Sequence, residues 1–571
     1  MEGWRRLRDA SRWLALWRSA TSARPLAGRE VALVAVILAL LGAAVFAPHV
    51  RSGGFYSDDW ATASTYHFVP APHYLNATRF QRAILGGRPL LALAQPLPHA
   101  LFGVRKELHI ALAVALGILV SLGLYLLLRA FRIPPLHALI IAGLALVFPW
   151  SDSTRLWPIA SLNQLAVCFY LVGVLIALCG LRLGRWRAAG AHAAALVFYA
   201  MALLTYEAVA GPILLSGLLY AARGSWRAAW PRWLSDAVVT IGVLAWSVAA
   251  TGHVRGTTTF SLFVADLSMS ADQALELAGR AVRPFSIPLA AALVAGLIVA
   301  ATAALRGWPD APTTRRTLRL WGVIAAIAAV EFGCALVPFV GSGEHSLDPG
   351  MGNRVNIVAA LPLVTLVYAV VMLATTICVS ARRDRPNLQA AVTAAIAAFV
   401  GLGYTYQVRG DIINWDRAKA LQTRMLHSLS QLPKPPSGTV LYVYGYPAVV
   451  SPGISIFSQP WDLSSAVRLI WNDSQLAAYP IVAGTTFVCT QTGLYPSAPP
   501  GPWGTLQGGY TRTVGAQYAK ALFVDARLQR AHTVTNAAAC RQHSALIHPA
   551  PVVGDAISPV RTSGFAPSRR Y

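Results

Sequence analysis

Charge is what this sequence has least of. Of 571 residues only 12% are Asp, Glu, Lys or Arg, while 56% are apolar and the mean hydropathy is +0.52. An ordinary soluble protein is about 25% charged. A soluble fold of this length is therefore excluded, and disordered, collagen-like and small disulfide-rich classes fall with it. Acidic residues are scarcer than basic ones, 23 against 47, and only Lys106, Lys419, Lys434 and Lys520 among the 47 are lysine. That arginine bias, with abundant alanine, accompanies high-GC bacterial genomes. No spacing resembles a zinc site. The Walker A pattern is missing, which argues against an ATP-driven transporter, and so are Gly-x-Ser-x-Gly and His-Glu-x-x-His.

What is present is a series of apolar runs of membrane-spanning length. They lie near 31–47, 107–128, 134–150, 160–181, 190–207, 208–222, 236–252, 285–305, 320–340, 355–380 and 388–408. Eleven helices with a cytoplasmic N-terminus place 22 Arg on the inner side and 11 Lys+Arg on the longer outer loops before residue 408. The positive-inside rule favours this orientation over its inverse. The excess of basic residues is thus a topology signal, and no nucleic-acid partner is expected. Residues 88–103 are apolar but carry Pro89, Pro96 and Pro98. Counting them as a span breaks the charge pattern downstream, so they read as an interfacial helix on the outer face.

Three parts follow. Residues 1–30 form a basic, Trp-bearing cytoplasmic segment. Residues 31–408 form the transmembrane module, whose first span is an anchor and whose first outer loop covers 48–106. Residues 409–571 form an extracytoplasmic α+β domain on a bacterial inner or plasma membrane. Within the tail, 410–432 reads as a connecting helix and the stretch from about 550 is Pro/Ser/Arg-rich. TVLYVYGY at 439–446 alternates as a strand, its Tyr442, Tyr444 and Tyr446 packing in a small core in preference to stacking on sugars. Cys168, Cys179, Cys334 and Cys378 fall in apolar spans. Cys489 and Cys540 share the tail, where an oxidising compartment suits a disulfide between them.

The polar residues that topology does not explain sit on the outer side. Asp58 and Asp59 follow the first span, beside Trp60. Then come Arg88 in GGRPL, Asp152 and Arg155 in FPWSDSTRLW, Glu207 in LLTYEA, and Glu344, His345, Asp348 and Arg354 in GSGEHSLDPGMGNR. Acidic and basic groups converging on one face suit an anionic substrate and a proton acceptor. Glu331 lies inside an apolar run, where a carboxylate is costly. Nothing marks a soluble nucleotide-sugar site, so an enzyme here takes its activated substrate from the membrane.

An acidic pair after the first span, an amphipathic outer loop, Gly87-Arg88-Pro89-Leu90, and Leu101-Phe102-Gly103 before a long apolar helix form a layout across residues 30–165. This layout resembles the GT-C superfamily of integral membrane glycosyltransferases, which includes bacterial aminoarabinose transferases and protein O-mannosyltransferase-like enzymes. The resemblance implies a GT-C-like polytopic helical fold and a polyprenyl-phosphate sugar donor. It implies an outer-loop Asp, Asp58 or Asp59, as general base, and Arg88 as phosphate ligand, with Arg155 and Arg354 as further candidates. Many relatives have Lys-Pro-Pro-Leu where this chain has Arg-Pro-Leu. One base with direct displacement gives inversion, and the acceptor is a glycan, lipid or protein. A divalent cation (Mg, Mn or Ca) held by Asp58 and Asp59 stays open. The competing reading is a transporter or flippase, or a polymerase or ligase, for lipid-linked saccharides. A transporter would show internal repeats or polar sites toward both faces, and neither is evident.

Overall fold

The computed structural model describes residues 27–70, 73, 87–251, 260–281, 312–339, 350–380, 386–451, 453–482, 484–497 and 515–547. Most of the basic N-terminal segment, the 285–305 run, Glu344, His345, Asp348 and the stretch from 550 lie outside them.

Seven described helices are long and apolar enough to cross a membrane. They are Gly28–Ser52, Lys106–Ala130, Pro158–Gly180, Arg185–Thr205, Trp226–Ala250, Thr314–Phe339 and Gly350–Cys378. Each coincides with an expected run, and 25 residues rise about 38 Å, enough for a hydrocarbon core of about 30 Å. The other runs fare differently for local reasons. Pro135 starts one helix where the run begins, and Pro149 cuts it short, leaving Pro135–Leu146, about 18 Å long. The 208–222 run breaks into a 3-10 turn at Glu207–Val209 and two short helices, Ala210–Leu214 and Ser216–Arg223. There Gly211 packs so close to the Thr314–Phe339 helix that a Cβ would lie 2.1 Å from the Cys334 carbonyl oxygen.

The 388–408 run does not end where its hydropathy falls. It continues as one 45-residue helix, Pro386–Ser430, about 68 Å long, whose second half is polar and enters the C-terminal region. Phe260–Ala281 is helical where hydropathy predicts only a loop, because Asp272 and Glu276 on its exposed side lower the hydropathy while Leu277, Ala278 and Ala281 are buried. Residues 88–103 form two short helices, Pro89–Ala94 and Pro96–Phe102, each with proline in its first turn, where no backbone N–H is needed.

The two ends of the first span are both pinned. Near its start Glu30 takes Arg129 Nε–H at 2.6 Å. Nineteen residues on, His49 bonds Asp416 of the long helix at 2.8 Å and the Leu156 carbonyl at 2.9 Å. The second end is therefore where the first loop, the second loop and the long helix meet. The C-terminal region is built on the same end. Its main sheet has the order 477–480, 440–444, 521–525, 530–533, the first three strands parallel and the last antiparallel. The helix Pro460–Trp471 joins strand 440–444 to strand 477–480 and packs on the helix Asp58–Phe68. Leu441 and Val443 face the main core, while Tyr442 meets Tyr479, Phe487 and Phe523 in a separate aromatic core. The tyrosine row thus packs as core, and Cys489 and Cys540, joined in a disulfide, close that core's rim.

Candidate functional site

The acidic pair opens the helix Asp58–Phe68. The residue before it, Ser57, has φ +46° and ψ −115°, a conformation that L-residues rarely adopt. Such a residue costs about 1–3 kcal/mol and persists only where its surroundings over-determine it. Asp59 does that work. It is 3% exposed. One carboxylate oxygen accepts the Tyr56 N–H at 2.9 Å and the other the Ile159 N–H at 2.8 Å. Burial raises its pKa and these two donors oppose the rise. Asp59 thus stitches the first loop to the second.

Asp58 points elsewhere. It is half-buried, and one oxygen accepts the Trp461 indole N–H at 2.8 Å. Burial pushes its acidity toward neutral pH, while Trp461, Arg354 and Ser57 hold it down. Arg354 belongs to the 3-10 stretch Gly350–Asn356, donates to the Met351 carbonyl at 2.8 Å and lies 5.7 Å from the Trp157 ring centre. Trp157 in turn donates to the Tyr56 carbonyl at 2.9 Å. Gly350 makes this approach feasible. Its φ is +69°, and a Cβ there would sit 2.5 Å from the Gly453 carbonyl oxygen, which already accepts the Met351 N–H at 2.8 Å. One carboxylate, one guanidinium and two indoles thus come together from four separate stretches of chain.

The other expected residues are placed as follows. Arg88 makes a forked ion pair with Glu207, with Nε to Oε2 at 2.7 Å, and lies over the Tyr206 ring at 4.9 Å. Trp60 packs against Phe55 and Phe457 at 5.8 and 5.7 Å. Arg155 is 2% exposed and donates to the Phe148 carbonyl at 2.6 Å, and burial lowers its pKa to about 10. It braces the second loop from within. Asp152 is fully enclosed and accepts from Asn353 at 2.7 Å, and Asn353 also accepts the Ser153 N–H at 3.1 Å. Asn353 thereby ties the second loop to the stretch that carries Arg354. Burial raises Asp152 and also Asp411 on the long helix, where the charge of Asp152 adds to the rise.

Among the described residues no group of three or more His, Cys, Asp and Glu is disposed to hold a metal. Asp58 and Asp59 turn to different partners, Trp461 for the first and the Tyr56 and Ile159 N–H groups for the second. Trp461, Trp157, Asn353 and Asp411 went unseen in the sequence reading. Trp461 alone carries a local signal. Gln459-Pro460-Trp461-Asp462 is a helix start, with proline in the first turn and the Asp462 carboxylate accepting the Gln459 N–H at 3.2 Å.

No family model matches the chain, and no curated protein matches it. Among solved structures it is similar to ArnT from Cupriavidus metallidurans bound to undecaprenyl phosphate, with TM-score 0.41 and 12% identity over 77% of this chain and 84% of that one. The apo state of the same protein gives TM-score 0.41 and 13% identity over 78% and 85%.

Proposed function

We propose that the chain is a GT-C-type glycosyltransferase. It moves a sugar from a polyprenyl-phosphate donor to an extracytoplasmic acceptor. The observation that carries this is the setting of Asp58, a half-buried carboxylate facing Arg354 and Trp461 where the membrane helices end and the C-terminal region begins. A lipid-linked phosphate reaches that level from the bilayer, and an acceptor reaches it from the other side.

The chemistry follows from the groups. An acceptor hydroxyl attacks the anomeric carbon, its proton passes to Asp58, and the bond from that carbon to the phosphate oxygen breaks. The electron pair leaves with the phosphate. A base whose acidity burial has moved toward neutral pH accepts a proton more readily than an exposed aspartate. Negative charge grows on the departing phosphate, and a guanidinium suits it by its forked donors. Arg354 is the phosphate ligand nearest the base. Arg88 is held for a second contact by Glu207, whose pairing fixes its direction. Asp59 and Arg155 position the loops. Direct displacement inverts the anomeric centre.

Sugar transfer by purified protein from a panel of synthetic polyprenyl-phosphate sugars tests the reading. Transfer from at least one donor supports it. Donor binding without turnover across the whole panel moves the transporter reading to the front.

A further inference from the structure

Lysine is rare in this chain, yet two of its four lysines meet. Lys106 opens the span Lys106–Ala130, Lys419 belongs to the long helix, and their ammonium groups stand against one another. The first loop sets the meeting. Lys419 lies across Gly54, where a Cβ would come within 2.7 Å of its Cγ, so glycine at that position leaves room for the lysine stem. His109, one turn beyond Lys106, packs edge-on against the next loop residue, Phe55, at 5.4 Å. Both lysines are half-buried.

An ammonium is a donor only, so neither lysine bonds the other. Among the described residues neither has an acceptor within hydrogen-bond distance. Glu107 comes no closer than 3.9 Å to Lys106 and is exposed. Asp416 is within electrostatic reach of Lys106, but its oxygens accept from His49 and Ser52. Arg51 and Arg105, both exposed, flank the pair in sequence at the end of the first span and just before the second. Two like charges in contact repel, and an oxyanion between them removes the repulsion and accepts from both. Neither lysine is among the groups that act on Asp58, which turns to Trp461 and Arg354, so the pair lies outside the proposed reaction.

The level in the membrane selects the source of the anion. Lys106 is the first residue of a span, at the depth where lipid headgroups begin. Leu101, Val104 and Leu108 bracket it and are 75%, 50% and 39% exposed. Exposed apolar side chains next to basic ones suit a molecule with an acyl chain and an anionic head. A free inorganic anion would engage the lysines alone.

We propose that Lys106 and Lys419 form a binding site for the phosphate of an anionic phospholipid in the leaflet on the side of Asp58. The bound headgroup ties the long helix to the second span, across the glycine turn that leads into the acidic pair. The inference is independent of the glycosyltransferase reading, and its test needs no turnover.

The full chain in dodecyl maltoside is unfolded thermally at low salt with phosphatidylglycerol, phosphatidylcholine or inorganic phosphate. The wild type should gain about 3 °C or more with saturating phosphatidylglycerol and less than about 1 °C with either of the others. Raising the salt to about 0.5 M should shrink the gain, because the lysines are only half-buried. The double variant Lys106→Gln, Lys419→Gln should lose the gain. Without lipid it should melt no lower than the wild type, because a repulsion has gone. Lys106→Arg with Lys419→Arg should keep the gain. A gain that survives the glutamine pair, or one equal for phosphatidylglycerol and phosphatidylcholine, overturns the inference. An equal gain from inorganic phosphate overturns the lipid assignment and leaves a free-anion site. Native mass spectrometry covers the case in which the glutamine pair does not fold. The wild type should retain one more phosphatidylglycerol than Lys106→Gln alone, and equal retention overturns the site.

Discussion

Replacing Trp461 by phenylalanine removes one hydrogen bond and keeps the ring. In the wild type that indole donates to Asp58 at 2.8 Å, and it is the foremost influence holding the acidity of Asp58 down against burial. A hydrogen bond to a charged group contributes about 1.5–3 kcal/mol, and about 1.4 kcal/mol corresponds to one pKa unit. Asp58 is half-exposed and keeps Arg354 and Ser57, so the lower end applies and the expected rise is about one unit. The base acts deprotonated. Its activity is lost as pH falls through its pKa, so a raised pKa moves the acid limb of the kcat/KM profile to higher pH. Trp461→Phe should therefore lower the rate about tenfold on that limb and recover it on the plateau. The assay is sugar transfer across a pH series, with thermal unfolding as a check on folding. A limb that stays put, or one that moves to lower pH, refutes the reasoning. A uniform fall in the plateau with an unmoved limb marks Trp461 as a packing residue only.

The spans were legible because 20 or so apolar residues in a row have one stable home. Where the outcome differs, a local rule intervened. Pro149 shortened one helix, and the close approach at Gly211 accompanied the breaking of another. The continuous Pro386–Ser430 helix was hidden because its composition changes half-way while its hydrogen bonding does not. The acidic pair stood out in the sequence, but the split between its members did not. That split depends on which partner each meets, Ile159 for Asp59 and Trp461 for Asp58, residues 100 and 403 positions away. Arg155 and Arg354 likewise look alike in sequence, and only burial separates a loop brace from a guanidinium at the site.

Two further outcomes are expected. Asp411 has its pKa raised well above the ordinary aspartate range by burial and by the Asp152 charge, so the folded state holds a proton that the unfolded chain releases above about pH 4. Stability from this group is full below that pH and falls as pH rises, at up to about 1.4 kcal/mol per unit until the folded pKa is passed. Asp411→Asn should flatten that slope and raise the melting temperature at pH 8, and an unchanged slope between pH 5 and 9 contradicts it. The Cys489–Cys540 disulfide closes 51 residues, which in the chain-entropy model is worth roughly 4 kcal/mol. The double substitution to serine should destabilise the C-terminal region by about 2–4 kcal/mol in denaturant unfolding, and no change would show that the aromatic core alone holds it.

The most direct test of the division of labour at the acidic pair compares Asp58→Asn with Asp59→Asn in sugar transfer and thermal unfolding together. Asp58→Asn should abolish transfer while donor binding and melting temperature stay near wild type. Asp59→Asn should lower the melting temperature, because an amide N–H₂ meets a backbone N–H where a carboxylate oxygen accepted one. Asp58→Asn with full transfer, or Asp59→Asn with wild-type stability and no transfer, contradicts it.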